Sequence, residues 1–181
     1  ANDVRRANNF IVGPQLDFGG SAVLDYASDD GDVPLNYTPA INELVPNSLR
    51  EAGARPGKFS FKQFGRADMD NDYPIIRLGE MYLTSAERLA RAAGDWSLAL
   101  NDVNVIRARA KVSAYSSIDA DEFLAERGRE VFQEGMRRTD LIRFGKYNDA
   151  WWEKPADPSD HVNIFPIPFD QITASGGSLS Q

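Results

Sequence analysis

The chain has no cysteine and only one histidine among its 181 residues. Without cysteine there can be no disulfide, thiolate nucleophile, zinc–thiolate site or lipid-bearing N-terminal Cys within this stretch. No apolar run approaches the roughly 20 residues that a membrane-spanning helix needs. Ala1-Asn-Asp-Val-Arg5-Arg6 carries no secretion signal and reads as the start of a fragment. Positive charge is also in deficit: 20 Lys and Arg face 27 Asp and Glu, giving a net charge of -7 and a pI near 4.8. A nucleic-acid partner is therefore not expected, because phosphate binding needs a concentrated basic surface. The basic residues here are interleaved with acids, as in Arg137-Arg138-Thr-Asp140, a pattern that suits ion pairing.

What is present is enough for a core, since 42% of the residues are hydrophobic. Residues 1–72 form a loop-rich segment, punctuated by Gly13-Pro14, Gly19-Gly20, Pro39, Pro46 and Pro56-Gly57. Only brief strands fit there, with candidates at 9–12 and 58–64; the segment cannot close a core alone and is expected to pack on the helices. Residues 73–181 form the helical region. From Asp72 the apolar period becomes helical, with Pro74 in a first turn and Ile75, Leu78, Gly79, Tyr82, Ala86, Leu89, Ala90 and Ala93 along one face. Gly94 stops this helix and Asp95 caps the next, in which Trp96, Ala99, Leu100, Val103, Ile106 and Ala110 recur at helical spacing. Together they make a tight helical hairpin close to a tetratricopeptide unit. Such arrays need about three repeats to bury a continuous core, and no second copy is found here. A lone hairpin leaves apolar residues such as Leu78, Tyr82 and Leu89 uncovered unless further sequence packs on them.

The spacing predicts a third helix from a capping box at Asp119-x-x-Glu122 to about Gly135, burying Leu124, Gly128, Val131, Phe132 and Gly135. A short helix around 140–144 follows. The tail, with Pro155, Pro158, Pro166 and Pro168, is expected to be extended rather than helical.

Glu126, Glu130 and Glu134 stand four apart, which on one helix face puts neighbouring carboxylates about 6 Å from each other. Glycoside hydrolysis needs two carboxyls flanking a bond, and a single row flanks nothing, so pairing with Arg107, Arg127, Arg129 or Arg137 is the favoured reading. Asp68-Met-Asp70-Asn-Asp72 has the alternating oxygens of a calcium loop, but Tyr73 replaces the bend glycine and Gly79 the closing glutamate. It reads as a solvated acidic loop, as does 28–32. His161 has no nucleophile in a recognisable elbow beside it. No cofactor motif occurs. Trp151-Trp152 lies in a proline-rich region and offers flat faces of the kind on which sugar rings stack; both are ligand-binding candidates, with packing or an interface as the plainer alternative.

The order of motifs resembles the C-terminal part of the SusD/RagB-like family. The residues that carry the likeness are Gly53-Ala-Arg55-Pro-Gly57-Lys58-Phe59, Asn71-Asp-Tyr73-Pro-Ile-Ile-Arg77-Leu-Gly79-Glu80-Met-Tyr82-Leu83, Ala86-Glu87 and Ala99-Leu-Asn101. They continue with Val105-Ile-Arg107-Ala-Arg109-Ala110, Glu126 to Glu130, Glu134-Gly135, Arg137, Asp140-Leu-Ile-Arg143-Phe-Gly145-Lys146 and Ile164-Phe-Pro-Ile-Pro168; the likeness spans about residues 50–170. The resemblance implies an all-α fold of tetratricopeptide-like hairpins in a superhelix, with long irregular loops and a few short strands. It implies a surface-exposed, lipid-anchored outer-membrane protein that binds oligosaccharide or another nutrient and is not an enzyme. Its partner would be a SusC-like TonB-dependent transporter. The family's lipid-bearing Cys and N-terminal helical repeats are not in this sequence, so the chain is expected to be the C-terminal fragment of a larger single domain and to pair with an N-terminal part of the same protein. The family motif residues Arg77, Glu80, Glu87, Asn101, Arg107, Arg109, Glu126, Glu130, Glu134, Gly135, Arg137, Asp140 and Arg143 are then structural. An alternative function is a tetratricopeptide-like adaptor that binds a peptide.

Overall fold

The computed structural model describes residues 2–26, 28, 31–60, 62 and 69–179. Phe61 and Phe64 of the second expected strand, Asp68 of the calcium-like loop, and Asp29 and Asp30 lie outside the described residues. The chain forms two compact units, Ala1–Arg137 and Arg138–Gln181. The architecture is mainly helical, with six α-helices and only two-residue strands described.

The first unit opens with a helix the sequence did not announce, α1 (Val4–Asn9). Its only apolar residues are Val4 and Ala7, so no hydrophobic stripe betrays it, and the side chains it buries are Arg5 and Asn9. Asp3 caps it by accepting from the Arg5 backbone N–H at 3.0 Å. The Val4 N–H donates to Ala110 O at 3.2 Å. Three antiparallel two-residue ladders follow: β1 (Phe10–Ile11) with β6 (Arg55–Pro56), β2 (Gly13–Pro14) with β5 (Asn36–Tyr37), and β3 (Leu24–Asp25) with β4 (Val33–Pro34). Pro14, Pro34 and Pro56 each stand in a ladder and have no N–H to extend it, which keeps the strands short. The strand expected at 9–12 is thus found as β1. Its partner is Arg55–Pro56, whereas Lys58, Phe59 and Ser60 are not in a strand.

Helix α2 (Leu78–Ala93) ends at Gly94, whose φ of 67° and ψ of 21° place it in the left-handed region that glycine adopts without penalty. Asp95 then accepts from the Ser97 N–H at 2.9 Å, a 3₁₀ turn covers Trp96–Ala99, and α3 (Leu100–Arg109) runs on from it. The expected hairpin forms, but α2 starts later than its period suggested. Residues 71–77 are not helical, so Pro74 does not sit in a first turn. Arg77 is extended at φ -143° and ψ 158°, and from there its guanidinium reaches carboxylates distant in sequence. The buried stripe is correspondingly rotated to Gly79, Leu83, Ala86, Glu87 and Ala90. Leu78, 71% exposed, and Leu89, 39% exposed, stand outside it, as an uncovered hairpin requires, while Tyr82 is half-buried.

Helix α4 (Ala120–Glu130) carries the complete capping box expected of Asp119 and Glu122. It stops at Glu130 rather than near Gly135. Gln133 at φ 59° and Gly135 at φ 76° bend the chain, and Gly135 is exposed rather than part of a buried face. The core lies among α2, α3 and α4, where Leu83, Ala86, Ala90, Ala99, Val103, Ala110 and Phe123 are fully buried. Trp96 stacks on Phe123 with ring centroids 5.1 Å apart.

The second unit contains most of α5 (Arg137–Arg143), the short helix expected near 140, and a tail. That tail is not wholly extended: α6 (Phe169–Ala174) follows Pro168, whose fixed φ of -55° suits a helix entry. Proline density argues against a helix interior but not against a helix that starts just after the last proline.

Candidate functional site

The most ordered polar feature of the first unit is a buried ion-pair network on α4 and the turn after it. Glu126 is fully buried and Glu130 is 2% exposed. Glu126 Oε2 accepts from Arg107 Nη1 at 2.7 Å and from Arg129 Nη2 at 2.8 Å, while its Oε1 lies 2.8 Å from Arg5 Nη1. Glu130 accepts from Arg77 Nη1 at 2.5 Å and Arg5 Nη1 at 3.2 Å, and also pairs with Arg109. Glu134, though off the helix, rejoins the network through Arg77 Nε at 2.7 Å and through Lys58. Lys58 Nζ further donates to Phe132 O at 2.8 Å, and Arg77 Nη2 to Glu130 O at 2.5 Å, so backbone carbonyls released at the end of α4 are also satisfied.

The three glutamates therefore do not form one helical row. Two project from α4, and a left-handed turn returns the third to the same cations. The local electrostatics match this geometry. Burial pushes the Glu130 carboxyl up, but the hydrogen bond and charge of Arg77, the charge of Arg109 and the hydrogen bond from Arg5 together hold it below the ordinary value. Arg5 and Arg77 are likewise disfavoured as cations by burial, yet their carboxylate partners raise both above the usual arginine value. Asp3 is held low chiefly by its side-chain hydrogen bond with Arg5. Two glycines make room for this packing. A Cβ at Gly79 would lie 2.7 Å from Glu130 Oε1, and one at Gly128 would lie 2.8 Å from Arg137 Nη1.

Of the other family motif residues, Glu80 lies 3.6 Å from Arg127, and Glu87 is buried against Arg91 at 2.7 Å. Arg137 donates to Leu124 O at 2.8 Å rather than to a glutamate, and Asp140 is buried and paired with Arg143 at 2.8 Å. Asn101 stands exposed on α3, apart from the network. Gly135 lets the chain pass beside Tyr73, whose hydroxyl donates to Gln133 O at 3.2 Å. Sequence reasoning missed Asp3, Arg5 and Lys58 as members. They come from the loop-rich segment, and no periodicity links positions 3, 5 and 58 to 126–134.

Beside the network lies an open groove of about 470 Å³ lined by Asn8, Asn9, Lys58, Arg77, Arg109 and Glu130 among others. In the second unit, Trp151 and Trp152 are 49% and 51% exposed on a turn closed by reciprocal Trp151–Lys154 backbone hydrogen bonds. Lys154 Nζ sits 4.6 Å from the Trp151 ring centre. Ser159 Oγ lies 2.6 Å from His161 Nδ1, but the pair is exposed, and Asp157, the nearby carboxylate, is bound to Lys154 at 2.8 Å. Asp70, from the calcium-like loop, pairs with Lys62 at 2.6 Å. Among the described residues, no group of three or more His, Cys, Asp or Glu is arranged to hold a metal ion, and no helix is long and apolar enough to cross a membrane.

A mainly helical scaffold, locked by buried ion pairs and presenting aromatic side chains on a proline-rich tail, is the class of protein these features define. Residues 51–175 match the SusD family, and the chain belongs to that family. Over 112 residues it is 36% identical to the starch-binding protein SusD of Bacteroides thetaiotaomicron, which covers 57% of this chain and 20% of that protein. The chain thus spans about a fifth of the length of that relative.

Proposed function

We propose that this chain is the C-terminal scaffold of a glycan-binding, nutrient-uptake protein that captures starch-like or other oligosaccharides at the cell surface and performs no catalysis itself. Membership of the SusD family, together with 36% identity to a starch-binding relative, is the observation that carries this reading. The protein would work as an outward-facing, lipid-anchored component of the outer membrane, delivering ligand to a SusC-like TonB-dependent transporter. Residues 1–72 would serve as a segment packed on the helical region 73–181. The hairpin of α2 and α3 would be one unit of a tetratricopeptide-like superhelix continued by an N-terminal part of the same protein. The uncovered Leu78 and Leu89 on α2 support that continuation. The family motif residues are assigned to the scaffold, and Trp151 and Trp152 to a sugar-stacking shelf.

Isothermal titration of the full-length protein with malto-oligosaccharides and a wider glycan panel tests the function. Saturable heat with at least one glycan, and no product released, is the expected result. Silence with every glycan, combined with saturable binding of a peptide, would instead establish the adaptor reading.

A further inference from the structure

Among the described residues, three that are not glycine hold the backbone in the left-handed region: Lys111 at φ 57°, Gln133 at φ 59° and Glu153 at φ 57°. A side chain crowds the backbone there, and glycine is the usual occupant. The scaffold accounts for two of the three. Lys111 closes α3: its N–H donates to Ala108 O at 3.0 Å and the Val112 N–H to Arg107 O at 3.1 Å, and a cation suits a helix C-terminus. Gln133 turns the chain so that Glu134 returns to the ion pairs, and its carbonyl accepts from the Tyr73 hydroxyl at 3.2 Å. Glu153 ends no helix. It is a corner residue of the exposed turn Trp151–Lys154, where glycine would allow the same turn without strain. A strained residue at such a site points to a role for its side chain.

The base of this turn is fixed. Lys154 Nζ donates to Asp157 Oδ2 at 2.8 Å, to Pro155 O at 3.1 Å and to Asp149 O at 3.3 Å, with the Trp151 ring centre 4.6 Å away. Trp151 is thereby engaged by a cation of its own turn, whereas Trp152 and Glu153, the two corner residues, both stand exposed. Successive Cα atoms lie about 3.8 Å apart, so an aromatic face and a carboxylate are presented side by side on a preorganised turn. A sugar ring has an apolar face and, at its edge, hydroxyl donors; the ring of Trp152 suits the first and a carboxylate, which only accepts, suits the second. We propose that Glu153 is a ligand-contacting residue, its carboxylate accepting hydrogen bonds from hydroxyls of the sugar that stacks on Trp152, with Trp151 and Lys154 as the support beneath. This rests on the sugar-stacking reading of Trp152 and sharpens it: the ligand edge facing Glu153 carries free hydroxyls.

The test is isothermal titration of the full-length protein with maltoheptaose, or with the panel glycan that binds if maltoheptaose does not. The parent is compared with Glu153→Gly, Glu153→Gln and Trp152→Ala, and Tm is measured on the same samples. Glycine relieves the left-handed strain, so Glu153→Gly should have a Tm no lower than the parent's while its affinity falls about tenfold or more. Glu153→Gln keeps an accepting oxygen but not the charge, and its loss should be smaller. Trp152→Ala should weaken binding as well. Undiminished affinity in Glu153→Gly overturns the inference and leaves the proposed function standing, as does undiminished affinity in Trp152→Ala. A lower Tm in Glu153→Gly also overturns it, since the side chain would then belong to the scaffold. If the parent binds no glycan of the panel, the proposed function fails and this inference with it.

Discussion

Between Ala120 and Glu130 the chain buries charge, whereas between Trp151 and Phe169 it exposes rings. Glu126 and Glu130 are essentially inaccessible, while Phe165 and Phe169 are 79% and 78% exposed. A hydropathy scale orders these two regions the wrong way round. What decides burial is whether partners exist: Glu126 and Glu130, both on α4, each meet three guanidinium groups, most of them brought in from other elements. A scaffold residue is therefore recognised here by buried charge held against opposite charge, and a candidate contact residue by an apolar face left in water.

The strongest way to break the contrast is Glu130→Gln. The substitution keeps the shape but leaves Arg5, Arg77 and Arg109 without their shared anion. Removing one partner of a buried pair costs about 3–5 kcal/mol, to be read from the denaturant midpoint of the full-length protein. The same residue gives the network a pH signature. Its folded-state pKa lies below the ordinary 4.5, so the stabilisation is complete above about pH 4.5 and is lost as pH falls through the depressed value. Unfolding free energy should drop with acid in the parent, and the drop should be smaller in Glu130→Gln. An identical acid profile in the two proteins would mean that Glu130 does not carry the linkage.

Gly79→Ala comes next in size. The added methyl would press on Glu130 Oε1 and the Arg77 guanidinium, and overpacking of this kind costs about 1–3 kcal/mol despite alanine's better helix propensity. A stabilised variant would show that the close approach is not a constraint. Asp119→Ala removes half of the capping box of α4 and should cost about 1 kcal/mol. Because Asp119 is distant from the ion pairs, its effect should add to that of Glu130→Gln. Strong non-additivity would tie the helix start to the network.

These residues also show how far the sequence could be read. The Gly94–Asp95 break, the Asp119–Glu122 box and the hairpin they frame were legible because each rests on a local rule with a side-chain mechanism. The start of α2, the end of α4 and the whole of α1 were not. In each case a charged contact distant in sequence overrides local preference: Arg77 stays extended to reach Glu130 and Glu134, Glu134 leaves the helix to meet Lys58, and Arg5 anchors a helix with almost no apolar face. Pairing glutamates with arginines was foreseeable, and Arg107 and Arg129 do meet Glu126, but the roles of Arg5 and Lys58 were not, since they lie more than 70 positions from the glutamates they meet.

The smallest stability effect belongs to the other side of the comparison. Trp152→Ala removes a ring that is half in water, and surface substitutions of this sort change stability by less than about 0.5 kcal/mol. If the ring is part of a sugar-stacking shelf, oligosaccharide affinity should nevertheless fall severalfold, with Tm unchanged. The opposite pattern, a clear loss of stability with affinity intact, would mean that another part of the full-length protein covers the ring. The tail would then be scaffold like α4, held by apolar contact instead of charge.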